Sequence, residues 1–556
     1  MFRLQARWSH YALLAAAHLL MTLPNLGAHS LWDMDEGINA EAAREMLESG
    51  NWITPYFNYE LRTGKPALLY WFMCVSFQLF GVNEFAARLP SVIFGLGSVL
   101  VTYELARKMF SPSTGLVAAI ALASCFEFCL ISHAATPDSP FVFFLTGSFY
   151  LYWIGSEGNR RSWFIPFGAA TGLAVLTKGP IGLGMPGLVV LGHLLWTGRL
   201  RTLWDRRLLY GALTFIAVAG PWYGFVTLDT KGRWLQAFLW TDNLVRFSQP
   251  ADNHSGGPFY HVITIVVMFA PWIVFLPAAI WYGIREARRP QVEGEDASSK
   301  YRFLLVWVLA FLIVFSVAAT KLPNYVLPLY PALAILAARF LERWRLGLLQ
   351  VPRWVIIETI LATLSVGVIM LLGLLFVSGT VAIPFPVKGF HVFTSLASSI
   401  PISLIPIATA IVVWKFVRSG RRDAAVTTFV SGAILLLALI SSIPTVAMQD
   451  SKVPSHFAEE AGLHQPNRDI RIASCRWLRH SMVFYARREI TRIDDFRRVS
   501  EYLALPRPAY LIVPENVWGE LSKSLTVPVQ IISKRYDMYS RQQILVVANR
   551  HAVPES

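Results

Sequence analysis

Residues 353–378 read RWVIIETILATLSVGVIMLLGLLFVS. A helix needs roughly 20 mostly apolar residues to cross the hydrocarbon core of a bilayer, and this stretch supplies them in one run. Segments of the same kind lie on either side of it. They fall near 8–28, 86–106, 114–134, 139–156, 163–178, 180–197, 207–227, 261–283, 302–320, 322–341, 396–417 and 424–446. About thirteen spans are expected in all. The first, preceded by Arg3 and Arg7 and followed by Ala28-His29-Ser30, has the flanks of a cleaved signal peptide. Its apolar stretch is longer than a signal core, and the later topology works only if it is retained. The segment 66–81 is apolar but short, and reads as an interfacial or re-entrant helix. The expectation is an all-α polytopic membrane domain over 1–449.

Composition points the same way. Hydrophobic residues make up 54% of the 556 positions and charged residues 15%, where a soluble domain carries about 25% charged residues. The mean hydropathy is +0.47. Disorder is excluded because it requires low hydrophobicity. The four cysteines imply no disulfide framework; Cys125 and Cys129 share a helix spacing that packing accounts for. The net charge of +14 reports topology. Lys and Arg cluster in alternate connections, at 107–108, 160–161, 199–207, 285–289, 343–345 and 415–422, and such connections stay in the cytoplasm. No basic run interleaved with aromatics suggests a nucleic-acid surface.

The connections left on the other face are 29–85, 135–138, 178–180, 228–260, about 321, 379–395 and everything after about 447. Residues 450–556 are rich in Arg, Asp and Glu, with β-like runs at 470–474, 509–513, 528–532 and 543–547. A small α/β domain on the outer face is expected there.

These outer connections hold the chemistry. Leu31-Trp32-Asp33-Met34-Asp35-Glu36-Gly37 places three carboxylates beside the first span. A helical pattern follows, so Asp35 also fits a helix cap. Carboxylates packed at a membrane are costly unless cations compensate. Cations are present on the same face: Arg62 and Lys65, Lys178, Arg246 and Lys321. Snorkelling of long side chains explains any one of them; together they suit a collar around an anionic group, with phosphate the natural candidate. Asp138 sits in Ala135-Thr136-Pro137-Asp138-Ser139-Pro140, a turn and helix start. Glu127 and His133 are ionisable groups in or near an apolar span. Asp252, His254 and His261, with Glu60, are of metal-ligand type but match no ligand spacing. Glu60 and His254 are the candidates if a divalent metal takes part; the sequence itself requires no cofactor.

The order of these motifs carries a resemblance. An Asp-Glu pair after the first span, Gly64-Lys65-Pro66 leading into Leu68-Leu69-Tyr70-Trp71-Phe72, and Phe85-Ala86-Ala87-Arg88-Leu89-Pro90 resemble the polyprenyl-phosphate-dependent membrane glycosyltransferases of GT-C type. That superfamily includes the protein O-mannosyltransferases. Thr177-Lys178-Gly179-Pro180 and Lys321-Leu322-Pro323-Asn324-Tyr325-Val326-Leu327-Pro328 are similar to stretches of the undecaprenyl-phosphate aminoarabinose transferases that modify lipid A. The resemblance covers about 1–450. It departs at Lys65-Pro66-Ala67-Leu68, where the family commonly has Lys-Pro-Pro-Leu.

The resemblance implies transfer of 4-amino-4-deoxy-L-arabinose from undecaprenyl phosphate to a lipid A phosphate, and with it polymyxin resistance. It implies a monomer in the bacterial inner membrane, with the active site and C-terminus periplasmic. Asp35, Glu36 and Asp138 are then the catalytic carboxylates: Asp35 orients the acceptor or offsets oxocarbenium charge, and Glu36 or Asp138 holds the sugar ammonium. Lys65 leads the donor phosphate site, with Arg62, Lys178 and Arg246. Lys321, Tyr325, Asn324, Asp33 and Tyr59 complete the substrate contacts. Two rivals remain. One is transfer of another sugar to a lipid or to protein Ser/Thr; the other is a lipid or ion transporter, which calls for mid-bilayer charges and paired broken helices.

Overall fold

The computed structural model describes residues 7–157, 163–250, 254–289, 297–382, 392–449, 452–463, 465 and 469–552. Arg3, Arg160, Arg161 and Asp252 lie outside the described residues. Every predicted apolar segment is helical. Among the described residues, seven helices are long and apolar enough to cross a membrane: Glu84–Met109, Leu208–Asp229, Ser298–Val317, Pro323–Arg345, Arg353–Val377, Thr394–Arg418 and Arg422–Ala447. Two bent pairs bring the number to nine when each is taken as one span. They are Pro112–Ala123 with Phe126–Ser132, bent by 68°, and Tyr260–Met268 with Trp272–Ala287, bent by 112°. Arg7–Thr22, Phe164–Lys178 and Ile181–Trp196 are shorter, so thirteen full crossings remain an expectation. The 66–81 segment is the helix Leu68–Phe80, roughly 20 Å long at 1.5 Å per residue and too short for a core of about 30 Å.

The two breaks face one another. Apolar surroundings offer no water to a freed backbone group, so it has to find a protein partner. At the first break the Phe126 amide donates to the Ala270 carbonyl at the second, 2.9 Å away. In return the Trp272 indole N–H donates to Ser124 Oγ at 3.0 Å.

The C-terminal residues build the expected α/β layer. Numbering all strands in chain order, β1 (Tyr56–Phe57) and β2 (Glu60–Leu61) make a small antiparallel hairpin in the first outer loop. The tail contributes β3 (Arg471–Ser474), β4 (Ile490–Arg492), β5 (Ala509–Pro514), β6 (Val529–Asp537) and β7 (Gln542–Asn549). Their order in the sheet is β4-β3-β5-β7-β6. β3 runs parallel to β4 and β5, while β7 is antiparallel to β5 and β6. Alternation along β5 sends Tyr510 and Ile512 to one face, against Phe457 and Met482, and Leu511 and Val513 to the other, against Val499 and Leu521. β4 was not anticipated; three residues are too few to show alternation.

This layer docks on the first outer loop. Ser481 donates through its amide and its hydroxyl to Asp33 Oδ1, both at 3.1 Å, and Arg479 lies 3.6 Å from Asp33 Oδ2. Asn58 exchanges two hydrogen bonds with the backbone of Ile490. A Cβ on Gly37 would lie 2.5 Å from the Ser481 nitrogen, so this approach admits only glycine. Asp33, expected as a substrate contact, is thus bonded to the C-terminal layer.

One buried ion pair fixes the loop against the bundle. Arg88 is fully buried and donates to both oxygens of Glu36, at 2.9 and 2.8 Å. It also reaches the carbonyls of Leu26, His29 and Ser30. Glu36 in turn accepts the amides of Trp32 and Ala135, each at 2.7 Å. Glu36 was expected to be catalytic; in the structure four donors already occupy its two oxygens. Burial alone would raise its carboxyl, but Arg88 and the two amides hold it at about 2, against an ordinary 4.5. Its stabilising contribution is complete above pH 4.5 and fades as the pH falls toward 2. Arg88→Leu strands a buried carboxylate and is expected to cost about 3–5 kcal/mol. The loss should appear as a lower melting temperature in detergent, with most of it recovered in Arg88→Leu/Glu36→Leu.

Candidate active site

Five stretches of chain enclose a cavity of ≈ 130 Å³ lined by Lys65, Lys178, Asp242, Arg246 and Tyr325, with Phe141, Phe247 and Phe315 among its apolar walls. Lys65 follows the β1–β2 hairpin, Lys178 is the last residue of the helix Phe164–Lys178, and Asp242 and Arg246 lie on a short π-helical turn and just after it. Three cations expected at an anion site, and Tyr325, expected as a substrate contact, thus share one cavity.

The cations differ in what already occupies them. Lys178 is ion-paired with Asp138 and lies 5.4 and 5.5 Å from the ring centroids of Phe141 and Tyr325. Arg246 Nε is 3.8 Å from Asp242 Oδ1. Lys65 has no hydrogen bond or ion pair among the described residues, and it is half-buried. Burial first, then the like charge of Lys178, push its ammonium down to about 8, against the pull of Asp138 and Asp35. A desolvated cation lacking a counter-ion favours an incoming anion.

Asp35 is the first residue of the helix Asp35–Ser49 and is exposed. The cap position belongs to Met34, which makes no side-chain cap bond and has φ 68°. A left-handed methionine is strained backbone, and the strain sits next to a carboxylate with no bonded partner among the described residues. The capping reading of Asp35 is therefore corrected.

Other expected residues do different work. Asp138 is buried and held by Lys178 and by Asn324 Nδ2 at 3.0 Å, so Asp138 and Asn324 form a layer behind the cavity and orient Lys178. Arg62 is bonded to Tyr70 Oη at 2.8 Å and Asn39 Oδ1 at 3.3 Å, and its carbonyl accepts the Trp234 indole. It anchors the Lys65 loop and does not line the cavity. Lys321 points away: its ammonium donates to the carbonyls of Phe315 and Ser316 at 3.0 and 2.5 Å. It closes the C-terminus of the helix Ala297–Val317, where a cation complements the exposed carbonyls. Tyr59 belongs to a polar cluster with Arg44 and Glu45. Glu127 accepts a hydrogen bond from Tyr330. No group of three His, Cys, Asp or Glu able to hold a metal occurs among the described residues, so Glu60 and His254 assemble no such site there.

Asp242 was missed. It lines the cavity, and its Oδ2 accepts the Thr63 hydroxyl at 3.1 Å, tying the turn to the Lys65 loop. The available signal was its spacing four residues before Arg246, the helical distance for an ion pair.

A family model described as dolichyl-phosphate-mannose-protein mannosyltransferase matches residues 64–224. An uncharacterized protein of Aquifex aeolicus is 28% identical over 480 residues, covering 85% of this chain and 86% of its own. Undecaprenyl phosphate-alpha-4-amino-4-deoxy-L-arabinose arabinosyl transferases of Erwinia tasmaniensis and Pseudomonas aeruginosa UCBPP-PA14 are 31% and 33% identical, over 60% and 62% of this chain. The matched part spans 59% and 61% of those two relatives. The crystal structure of ArnT from Cupriavidus metallidurans bound to undecaprenyl phosphate superposes with a TM-score of 0.82 at 22% identity, covering 99% of this chain and 100% of that one. The archaeal oligosaccharyltransferase of Archaeoglobus fulgidus gives a TM-score of 0.51 at 14% identity, over 92% and 70% of the two chains. The fold is that of the GT-C membrane glycosyltransferases, as the motifs implied.

If Lys65 must be charged to hold an anion, affinity should fall as the pH rises through about 8. The expected result is a decline in the association constant of a lipid monophosphate of about tenfold per pH unit above that point. Lys65→Arg, whose charge persists, should flatten the profile.

Proposed function

We propose that this chain, a multi-pass protein with the GT-C glycosyltransferase fold, transfers 4-amino-4-deoxy-L-arabinose from undecaprenyl phosphate to phosphate groups of lipid A. The reading places the site and the C-terminal layer on the periplasmic side of the bacterial inner membrane, opposite the clusters of Lys and Arg. The observation that carries it is the Lys65 ammonium, desolvated and without a hydrogen-bonded or ion-paired partner among the described residues, in a cavity with Lys178 and Arg246. Donor and acceptor are both lipids, which suits a recess between apolar helices.

In the reaction an acceptor phosphate oxygen forms the new bond to the sugar C1. The bond from C1 to the donor phosphate oxygen breaks, and its electron pair stays on the leaving lipid phosphate. Lys65, supported by Arg246 and Lys178, stabilises that developing charge, which is where fixed cations contribute most. A phosphate monoester is already ionised at neutral pH, so no base has to remove a proton. Asp35 is free to orient the acceptor or to offset oxocarbenium charge on the sugar. The cavity-lining carboxylate of Asp242, rather than Glu36 or Asp138, is the partner for the sugar ammonium. Transfer to a Ser or Thr hydroxyl would instead need a base, and Asp35 is the exposed carboxylate that could serve.

Lipid A from a transferase-deletion host expressing the protein, read by mass spectrometry, tests the reading. The wild type should add the aminoarabinose mass, and Lys65→Ala should lose about 10²–10³ in rate. Asp35→Asn should abolish transfer while the protein stays folded. Asp242→Asn should weaken use of the amino sugar about tenfold and spare a donor without the amine. No mass shift with the wild type, or near-normal modification by Lys65→Ala, would overturn the assignment.

A further inference from the structure

Asp35 follows directly on a strained residue. Met34 has φ 68° and ψ −88°, and its side chain makes no cap bond. Such a conformation is costly for any residue but glycine, and it persists only where the surroundings enforce it. Met34 is 48% exposed, so the enforcement has to act on the residues to either side.

On one side Glu36 is held by Arg88 and by the amides of Trp32 and Ala135. On the other side the grip comes from the C-terminal layer, at two separate places. At the start of the helix His480–Ala486, Ser481 donates twice to Asp33 Oδ1 at 3.1 Å, and Arg479 stands 3.6 Å from Oδ2. In the turn between β6 and β7, Tyr539 Oη accepts the Asp33 amide at 3.2 Å. The grip is itself braced. Arg479 donates to Asp537 Oδ2 at 2.7 Å and lies 5.1 Å from the Tyr539 ring centroid. Past Asp35, the backbone of Ser481 closes on Gly37 so tightly that no Cβ fits. Asp35 is thus enclosed between gripped neighbours and has no bonded partner of its own among the described residues.

Docking of the layer does not need this grip. Asn58 is bonded to Ile490, Tyr485 Oη donates to Glu84 at 2.9 Å, and the Ser30 and Ser455 hydroxyls are 2.6 Å apart. We propose that the C-terminal layer positions Asp35 for the transfer reaction, and that Asp33 is the residue through which it acts. The inference rests on the transferase reading given above. The charge of Asp35 acts on Lys65 and Tyr325, which line the cavity. With Asp33 released, Met34 relaxes to negative φ, and the first turn of the helix Asp35–Ser49 carries the carboxylate to a new position. Misplacement by about 1 Å is enough to cost a reaction up to about 10²-fold. Lys65 sits on a different loop, tied through Thr63 to Asp242, so binding of the lipid phosphate should outlast the loss.

The test compares full-length Asp33→Ala with the wild type, supplied with the undecaprenyl-phosphate-linked amino sugar and lipid A. Two quantities are measured: kcat, and the Kd of sugar-free undecaprenyl phosphate. The expected result is a kcat lower by about 10- to 100-fold at unchanged Kd. Asp33→Asn, whose amide oxygen still accepts both Ser481 donors, should recover most of that loss. Tyr539→Phe removes only the acceptor of the Asp33 amide and should lower kcat about fivefold, again at unchanged Kd. It keeps the test decisive should Asp33→Ala fail to fold. A purely adhesive Asp33 gives instead a lower melting temperature with kcat per folded molecule unchanged. That outcome, an equal loss of lipid phosphate binding, or no recovery in Asp33→Asn would overturn the proposal. Normal transfer by Asp35→Asn would defeat the transferase reading of Asp35 as well. An inactive Asp35→Asn beside a fully active Asp33→Ala would defeat the positioning role alone.

Discussion

The Arg88–Glu36 pair is the joint on which the outer half of the molecule depends. Isolated charges do not survive burial; this pair does because every lone pair and N–H it presents is used. Its bonds reach the end of the first helix, the carboxylate loop, the helix Glu84–Met109 and the Ala135 hairpin at once. The C-terminal segment joins the same knot. Lys452, itself buried, donates to the Ser30 carbonyl at 2.7 Å and stands 3.8 Å over the Trp32 ring. A loop that has to hold Asp35 beside Lys65 is thereby fixed from several directions, which makes the strained φ at Met34 tolerable.

Charge in this protein divides between holding the fold and facing the cavity. Of the five outer cations, Arg62 and Lys321 are bonded into the fold, and Lys178 is neutralised by Asp138. Arg246 is only loosely opposed by Asp242, at 3.8 Å. Lys65 has no hydrogen bond or ion pair among the described residues, and a half-buried cation in that state is the natural candidate for an anion contact. The saturated carboxylates Glu36 and Asp138 are poor bases for the same reason that they are good anchors.

The spans were legible because an apolar run long enough to cross a bilayer needs no periodicity to be seen. The tail strands β3, β5, β6 and β7 showed through their apolar runs, whereas β4 was too short. Lys65, Lys178, Arg246 and Tyr325 line one cavity, and the sequence reading had assigned all four to connections on the same face. What the sequence hid were choices between neighbours. Asp33, Asp35 and Glu36 look alike in a string of letters. The contacts that separate them come from Ser481, more than four hundred positions away, and from Arg88 and Ala135. Lys321 is hard to place for a related reason: a lysine that closes the preceding helix, as its bonds to Phe315 and Ser316 do here, and one that faces a ligand have the same local sequence.

The two bent helix pairs bear on the remaining question of class. Paired broken helices are what a transporter uses to expose backbone at a mid-membrane binding site, so their presence favours that alternative at first sight. Their bonding argues otherwise. The Phe126 amide and the Ala270 carbonyl satisfy each other, and Ser124 is bonded to the Trp272 indole. The freed polar groups are therefore directed at one another and not at a pore. Glu127, the acid nearest the first break, is buried and hydrogen-bonded by Tyr330. A break sealed in this way turns the chain within the bundle and holds it there, which suits a rigid scaffold around the cationic cavity better than a gate that has to open and close.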